Sequence, residues 1–376
     1  MGVEGWIGGH YTSFGRRLQP AHLTTRIQKN RSHGRRPTPT SSYLLHSTGA
    51  AARPALSCTG PAPRATFPMI HRMYQPRRPH HSTFVPIRHL RYHVHAWGTP
   101  QPGQPPLVLL HGWMDVGASW QFVVDALAED RQVLAPDWRG FGRTENPPTD
   151  SYWFADYLAD LDMLIDHWSA DAPVDLVAHS MGGNVAMLYA GVRPARVRRL
   201  VNLEGFGMPA TQPDAAPERH ARWIDEIKAL ARGELALKTY ESADGVARRL
   251  MKTNPRLGAD KAAWLALHWA QPVATPDGGE GWRILGDAAH KIVNPQLYRV
   301  EEALAHYARI TAPVLSVEAA DNAMARWWQG RYALPEYHAR LQSVPDCRSV
   351  QVADAGHMLH HDQPERVAAL IEEFLR

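Results

Sequence analysis

Ser180 stands where the chain passes from an apolar strand into a helix of small residues, in residues 175–190, DLVAHSMGGNVAMLYA. Val174, Leu176 and Val177 read as a buried strand and residues 181–190 as a helix, so Ser180 occupies the tight turn between them with its hydroxyl pointing outward. Gly182 and Gly183 let the helix begin close to the strand, and Ala178 is the other small residue of the turn. Such a serine is either the N-cap of an ordinary helix or a nucleophile. A nucleophilic serine needs a base within hydrogen-bond reach and a third group to orient that base.

His357 is the candidate base. It lies in DAGHMLHHDQPE, in a loop after the last strand, where Gly356 gives the backbone freedom to lean an imidazole over the sheet edge. His360 and His361 read as surface or capping residues. Three histidines in five positions also raise a metal site, but no acid or cysteine stands at ligand spacing, so neither a metal nor a cofactor is expected. Two strand ends offer the orienting acid: Asp321, after APVLSVEAA, and Glu204, at the end of RLVNLE. Asp321 is preferred because its loop follows the penultimate strand and stands beside the histidine loop; Glu204 is the alternative and Glu318 a third choice. A tetrahedral intermediate would also need donors for its oxyanion. Met181 can offer its backbone N–H at a helix N-terminus, and Trp113, after His111-Gly112, can offer a second.

These residues need a scaffold that brings strand ends together. Residues 107–110 (LVLL) and 132–137 (QVLAPD) are short apolar runs of the kind buried on both faces of a parallel sheet. Further strands are expected at 85–97, 199–204, 312–318 and 348–352, with helices near 117–129, from about 150, and at the C-terminus, where Asp362 and Glu365 are spaced as a capping box. Phe154, Tyr157, Leu158, Leu161, Leu164, Ile165 and Trp168 form one apolar helical stripe. Alternating strands and helices give an α/β class with a mostly parallel central sheet flanked by helices, whose ligands bind beyond the carboxyl ends of the strands. The expected organisation is an extension over 1–82, a core over 83–205 and 310–376, and a helical cap inserted over 206–309. Trp223, Trp264, Trp269, His268 and Trp282 lie in that cap, and Trp327 and Trp328 follow the next strand; some of these should line an apolar pocket.

Composition narrows the function classes. The chain has 376 residues, 44% hydrophobic and 21% charged, which describes an ordinary globular protein with a sizeable core. Two cysteines, Cys58 and Cys347, make neither a disulfide framework nor a thiolate metal site and fit a reducing, cytoplasmic setting. No apolar run approaches the roughly 20 residues that span a bilayer. The formal net charge of +4 comes from the first 80 residues, where Glu4 is the sole acid among a dozen arginines and lysines. That extension reads as disordered, and as translated sequence upstream of a start at Met69 or Met73 rather than a targeting peptide or nucleic-acid-binding arm. A small-molecule substrate is expected, with no nucleic-acid or membrane partner.

From about Phe84 to the end, the chain resembles the α/β-hydrolase superfamily. HGWMDVGASW, PDWRGFGRTE, VAHSMGGNVA and DAGHMLHHDQPE match its landmarks in order, and nucleophile, acid and histidine follow one another as in that family. The resemblance implies Ser180 as nucleophile, His357 as base, and Trp113 and Met181 as oxyanion donors. Two departures stand out: Ala178 replaces a glycine, and AADN puts Asn322 where the family's acid often sits. Serine in place of aspartate at the elbow argues against epoxide hydrolase or haloalkane dehalogenase chemistry. The expected activity is hydrolysis of a small or medium carboxylic ester through an acyl-enzyme, with thioester, amide or carbon–carbon cleavage, or ligand binding without turnover, as alternatives.

Overall fold

The structure, a computed structural model, describes residues 73–376. Most of the expected extension, including Met69, lies outside the described residues. Its last part does not behave as an extension. The Tyr74 hydroxyl and the backbone N–H groups of Arg77 and Arg78 all donate to the Asp125 carboxylate, so the packed chain begins before Thr83.

The first strands, β1 (His81–Ile87) and β2 (Leu90–Trp97), form an antiparallel hairpin whose turn places Arg88 at φ 55°. β3 (Leu107–Leu110) is followed by α1 (Gln121–Ala126), β4 (Val133–Pro136) by α2 (Phe154–Trp168), and β5 (Val174–His179) by α3 (Met181–Val192), before β6 (Val197–Leu203). β3, β4 and β5 are buried at every position, which explains the apolar runs of β3 and β4 and of residues 176–178 in β5. An insertion then carries α4 (Ala216–Ala231), β7 (Thr239–Tyr240), α5 (Ala243–Thr253), α6 (Ala259–Trp269), β8 (Ala270–Ala274), β9 (Glu280–Ile284) and α7 (Val300–Tyr307). The chain returns through β10 (Val314–Ala319), α8 (Met324–Trp328), α9 (Leu334–Leu341), β11 (Cys347–Val352), α10 (Leu359–Asp362) and α11 (Pro364–Leu375).

Eight strands make one sheet in the order β1-β2-β4-β3-β5-β6-β10-β11, parallel from β4 to β11. Successive strands step outward on opposite sides of the β3–β5 pair, where Leu110 lies opposite Ala178. That reversal opens a crevice at the carboxyl ends of β3 and β5, the position where open α/β sheets bind their ligands. Two apolar layers cover the sheet. One includes α1 and α11 residues such as Val123, Val124, Ile371 and Phe374; the other includes Leu161, Leu164 and Ile165 of α2 and Val185 and Met187 of α3. Each fully buried aliphatic side chain contributes roughly 1.5–3 kcal/mol, so the α2 stripe alone is a substantial part of the core.

The insertion is not purely helical: β7, β9 and β8 form a small antiparallel sheet. β8 contains Pro272, which is tolerated because β8 is an edge strand and needs no N–H there. The insertion fastens to loops at the carboxyl ends of the main strands. Trp269 Nε1 donates to Asp115 Oδ1 at 3.0 Å, the N–H of Gly142 to the carbonyl of Leu285 at 2.9 Å, and Asn254 Nδ2 to Asp362 Oδ1 at 2.7 Å. It therefore caps the crevice side of the sheet. Among the described residues no helix is long and apolar enough to cross a membrane.

Asp362 does not form the capping box read from the sequence. It ends α10, and its second oxygen accepts the N–H of Gly356 at 2.9 Å, so it braces the loop that carries His357.

Candidate active site

Ser180 has φ 53° and ψ −115°, a conformation costly for a residue with a Cβ. Its surroundings enforce it. The N–H of Ser180 donates to the carbonyl of Leu203 at 2.8 Å, and its own carbonyl accepts the N–H of Asn184 at 3.0 Å. A Cβ at Gly182 would lie 2.6 Å from the backbone oxygens of Leu110 and His111, and one at Gly183 would lie 2.2 Å from Asn202 Oδ1. The turn thus requires both glycines, and no side-chain capping bond is made by Ser180. The hydroxyl goes elsewhere.

It meets His357, whose Nε2 is 3.0 Å from Ser180 Oγ. The Nδ1–H of His357 points to Glu204 Oε2 at 3.2 Å, and the other carboxylate oxygen of Glu204 accepts the N–H of Ala319 at 2.7 Å. Strand order explains the meeting: β5, β6 and β11 deliver Ser180, Glu204 and His357 to one edge of the sheet, with His179 opposite Leu203 in the β5–β6 register. Glu204, like Ser180, sits at positive φ, 58°, directly beyond its strand.

Asp321, the preferred acid in the sequence, is not brought to the histidine. Its side chain is 60% exposed and pairs with Arg256 at 3.1 Å, whereas that of Glu204 is 0% exposed. The chain turns outward after β10, so proximity of the two loops in the strand order does not become proximity of side chains. Glu318 bonds His338 at 2.8 Å, and Asn322 accepts the N–H of Met324 at 3.2 Å.

Of the two backbone groups read from the sequence as oxyanion donors, Met181 directly follows Ser180 and Trp113 follows Gly112 in the loop after β3. Met181 is the first residue of α3, where a backbone N–H has no intrahelical acceptor. Gly112 packs so closely on the elbow that a Cβ there would lie 3.1 Å from Ser180 Cβ and 3.0 Å from His179 Nδ1.

Burial shapes the electrostatics. It pushes the imidazolium of His357 down to about 3, keeping the ring neutral and able to accept a proton. It also raises Glu204 well above the usual carboxylate range, an effect that the Ala319 N–H opposes.

His179 escaped the sequence reading, and Trp327, read there as a candidate pocket-lining residue, touches the His357 ring. His179 donates from Nε2 to the carbonyl of His357 at 2.7 Å, and Trp327 meets the His357 ring edge-to-face at 4.4 Å. The position of His179 immediately before Ser180 was the available signal. His360 and His361, read as surface residues, are 1% and 5% exposed.

A family model described as the alpha/beta hydrolase fold matches residues 105–364. The chain belongs to the α/β-hydrolase family. Among its relatives is a "Serine hydrolase-like protein" of Danio rerio, 29% identical over 78% of this chain and 86% of that protein. A "Cis-3-alkyl-4-alkyloxetan-2-one decarboxylase" of Shewanella oneidensis is 26% identical over 72% of this chain and 81% of the other. Among solved structures, a thioesterase domain from the curacin biosynthetic pathway superposes with a TM-score of 0.66 over 78% of this chain and 99% of that one, at 24% identity. This α/β-hydrolase is an enzyme of the hydrolase class acting on small substrates.

Proposed function

We propose that the protein is a serine hydrolase that cleaves a small or medium carboxylic ester through an acyl-enzyme on Ser180. The observation that carries this reading is the continuous relay from Ser180 Oγ through the His357 ring to the buried Glu204 carboxylate, at 3.0 and 3.2 Å. Ser180 attacks the ester carbonyl while its proton passes to His357 Nε2. The oxyanion accepts hydrogen bonds from the backbone N–H groups of Met181 and Trp113. His357 then gives its proton to the departing alcohol, and the acyl group remains on Ser180. In the second half, His357 takes a proton from water, the hydroxide attacks the acyl carbon, and Ser180 leaves with that proton. Glu204 accepts the Nδ1–H throughout, which fixes the tautomer that leaves Nε2 free. Trp327 borders this centre with apolar surface suited to a hydrocarbon acyl or alcohol group. The relative from Danio rerio carries a serine-hydrolase description that agrees with this reading.

The test is a fluorophosphonate probe with hydrolysis of p-nitrophenyl acetate and butyrate. The folded wild type is expected to incorporate the probe at Ser180 and to turn over at least one ester, and Ser180→Ala to do neither. Ester turnover that survives in Ser180→Ala refutes the mechanism.

A further inference from the structure

We propose that Asp115, His360 and His361 form a buried site for a divalent transition-metal ion of the zinc type, linking the loop after β3 to the loop that carries His357. The three side chains come from distant parts of the sequence and are 4%, 1% and 5% exposed. One ligand atom from each lies within 4.8 Å of the others, and Asp115 Oδ2 is 3.9 Å from His360 Nε2.

The hydrogen bonding of Asp115 is lopsided. Oδ1 accepts the N–H of Val116 at 2.9 Å, Nε1 of Trp269 at 3.0 Å and the hydroxyl of Ser119, while Oδ2 is enclosed and has no hydrogen-bond partner among the described residues. His361 Nε2 is enclosed without a partner in the same way, whereas the His360 nitrogen that faces Asp115 is Nε2, the unpartnered Nδ1 being the other nitrogen of that ring. Buried polar atoms are rarely left unpaired, and a buried carboxylate is ordinarily matched by a cation or a metal. Here every donor on Oδ1 is neutral. Anchoring one carboxylate oxygen so that the other points into a cluster of imidazoles is how outer-shell partners orient a metal ligand.

The donor chemistry fits zinc, cobalt(II) or nickel(II): two imidazoles and one carboxylate, with a further coordination position for water. Ligands on a tetrahedral zinc stand roughly 3.4 Å apart, so the cluster would close by about 1 Å around the ion. The second buried group of this kind, His93, His95 and Asp137, lacks this polarity. Both oxygens of Asp137 are already engaged, Oδ1 by the N–H of Gly117 at 2.7 Å and Oδ2 by the N–H of Arg143 at 2.9 Å and by His93 at 2.7 Å.

The site lies behind the reaction centre. The His360 ring is 4.3 Å from the ring of His179, which in turn holds the carbonyl of His357. An ion bound there would fix the histidine loop against the oxyanion loop and, through Trp269, against the cap.

The experiment titrates the full chain, stripped with EDTA and dialysed, with Co²⁺ alone and then with Zn²⁺, read by visible absorption and by thermal melting. One tightly held Co²⁺ per chain is expected, with a visible band that Zn²⁺ abolishes and a raised melting temperature. Asp115→Asn and His361→Gln should each weaken binding at least about tenfold, with folding checked by circular dichroism. The chain has 21 histidines, so adventitious binding must be separated from the site. Binding unchanged in both variants overturns the proposal. Absence of stoichiometric binding to the folded wild type does so too, and would make a bridging water the occupant. If Asp115→Asn fails to fold, the wild-type titration and His361→Gln still decide.

Discussion

Replacing Glu204 by glutamine keeps the size of the side chain and removes one acceptor, and the geometry forces a choice on the new amide. The two oxygens of Glu204 face two donors, the N–H of Ala319 at 2.7 Å and the Nδ1–H of His357 at 3.2 Å. Glutamine has one acceptor and one donor group. The Ala319 N–H belongs to β10 and cannot rotate, and leaving it facing an NH₂ would strand a buried donor at about 1–3 kcal/mol. The carbonyl of the glutamine should therefore turn to Ala319 and its NH₂ to His357. Nδ1 must then accept, the ring proton moves to Nε2, and the base can no longer take the proton of Ser180. A wrong-tautomer substitution of this kind lowers kcat by about 10⁴-fold in serine proteases, ~5.5 kcal/mol of transition-state stabilisation. Asp321→Asn instead removes an exposed pair with Arg256, worth about 0–1 kcal/mol, and should leave kcat within about twofold. The assay is steady-state hydrolysis of p-nitrophenyl butyrate by wild type and both variants at equal folded concentration. A Glu204→Gln enzyme that keeps more than a tenth of the wild-type kcat, or an Asp321→Asn enzyme that loses as much as Glu204→Gln, refutes the assignment.

His357 acts as a base only when neutral, and burial lowers its pKa to about 3, so the acid limb of kcat/KM should lie below the ordinary histidine value of 6.5; a limb at or above 6.5 contradicts the burial argument. Stability should move in the same direction. His80, His268 and His290 are also held down, to about 4, 3 and 3, so the unfolded chain takes up more protons as pH falls through 6.5, and urea midpoints should drop progressively below that pH. Gly183→Ala would drive a Cβ to 2.2 Å from Asn202 Oδ1, and overpacking should cost about 1–3 kcal/mol, read as a lower urea midpoint with reduced probe labelling at Ser180. Asp160 is fully buried and accepts Arg139 at 2.6 and 2.8 Å and the Tyr92 hydroxyl, so Asp160→Ala should destabilise by about 3–5 kcal/mol in equilibrium unfolding.

The fold was readable because its signals are local. A run such as LVLL or LVA (176–178) is apolar because both faces of the sheet are covered, and the α2 stripe repeats at helical spacing. The edge strand β8 gave no such signal: Pro272 and exposed neighbours hide a strand that pairs on one side only. Asp362 illustrates the limit for capping motifs. Its spacing to Glu365 fits a cap, yet tertiary partners at Gly356 and Asn254 claim both oxygens.

The sequence by itself determined the elbow at Ser180, the histidine at His357 and the loops that flank them, because each depends on residues that are neighbours in the chain: glycines that allow close approach, and a turn that follows a strand. It could not determine which carboxylate faces the histidine, nor where His360 and His361 point. Those depend on how a loop leaves its strand and on what it meets across the sheet. Glu204 emerges one strand from Ser180 at positive φ and is buried against Ala319, whereas Asp321 turns to solvent and Arg256. Asp115 is 245 positions from His360, and only the packing of β3, the cap and the last loop sets them side by side.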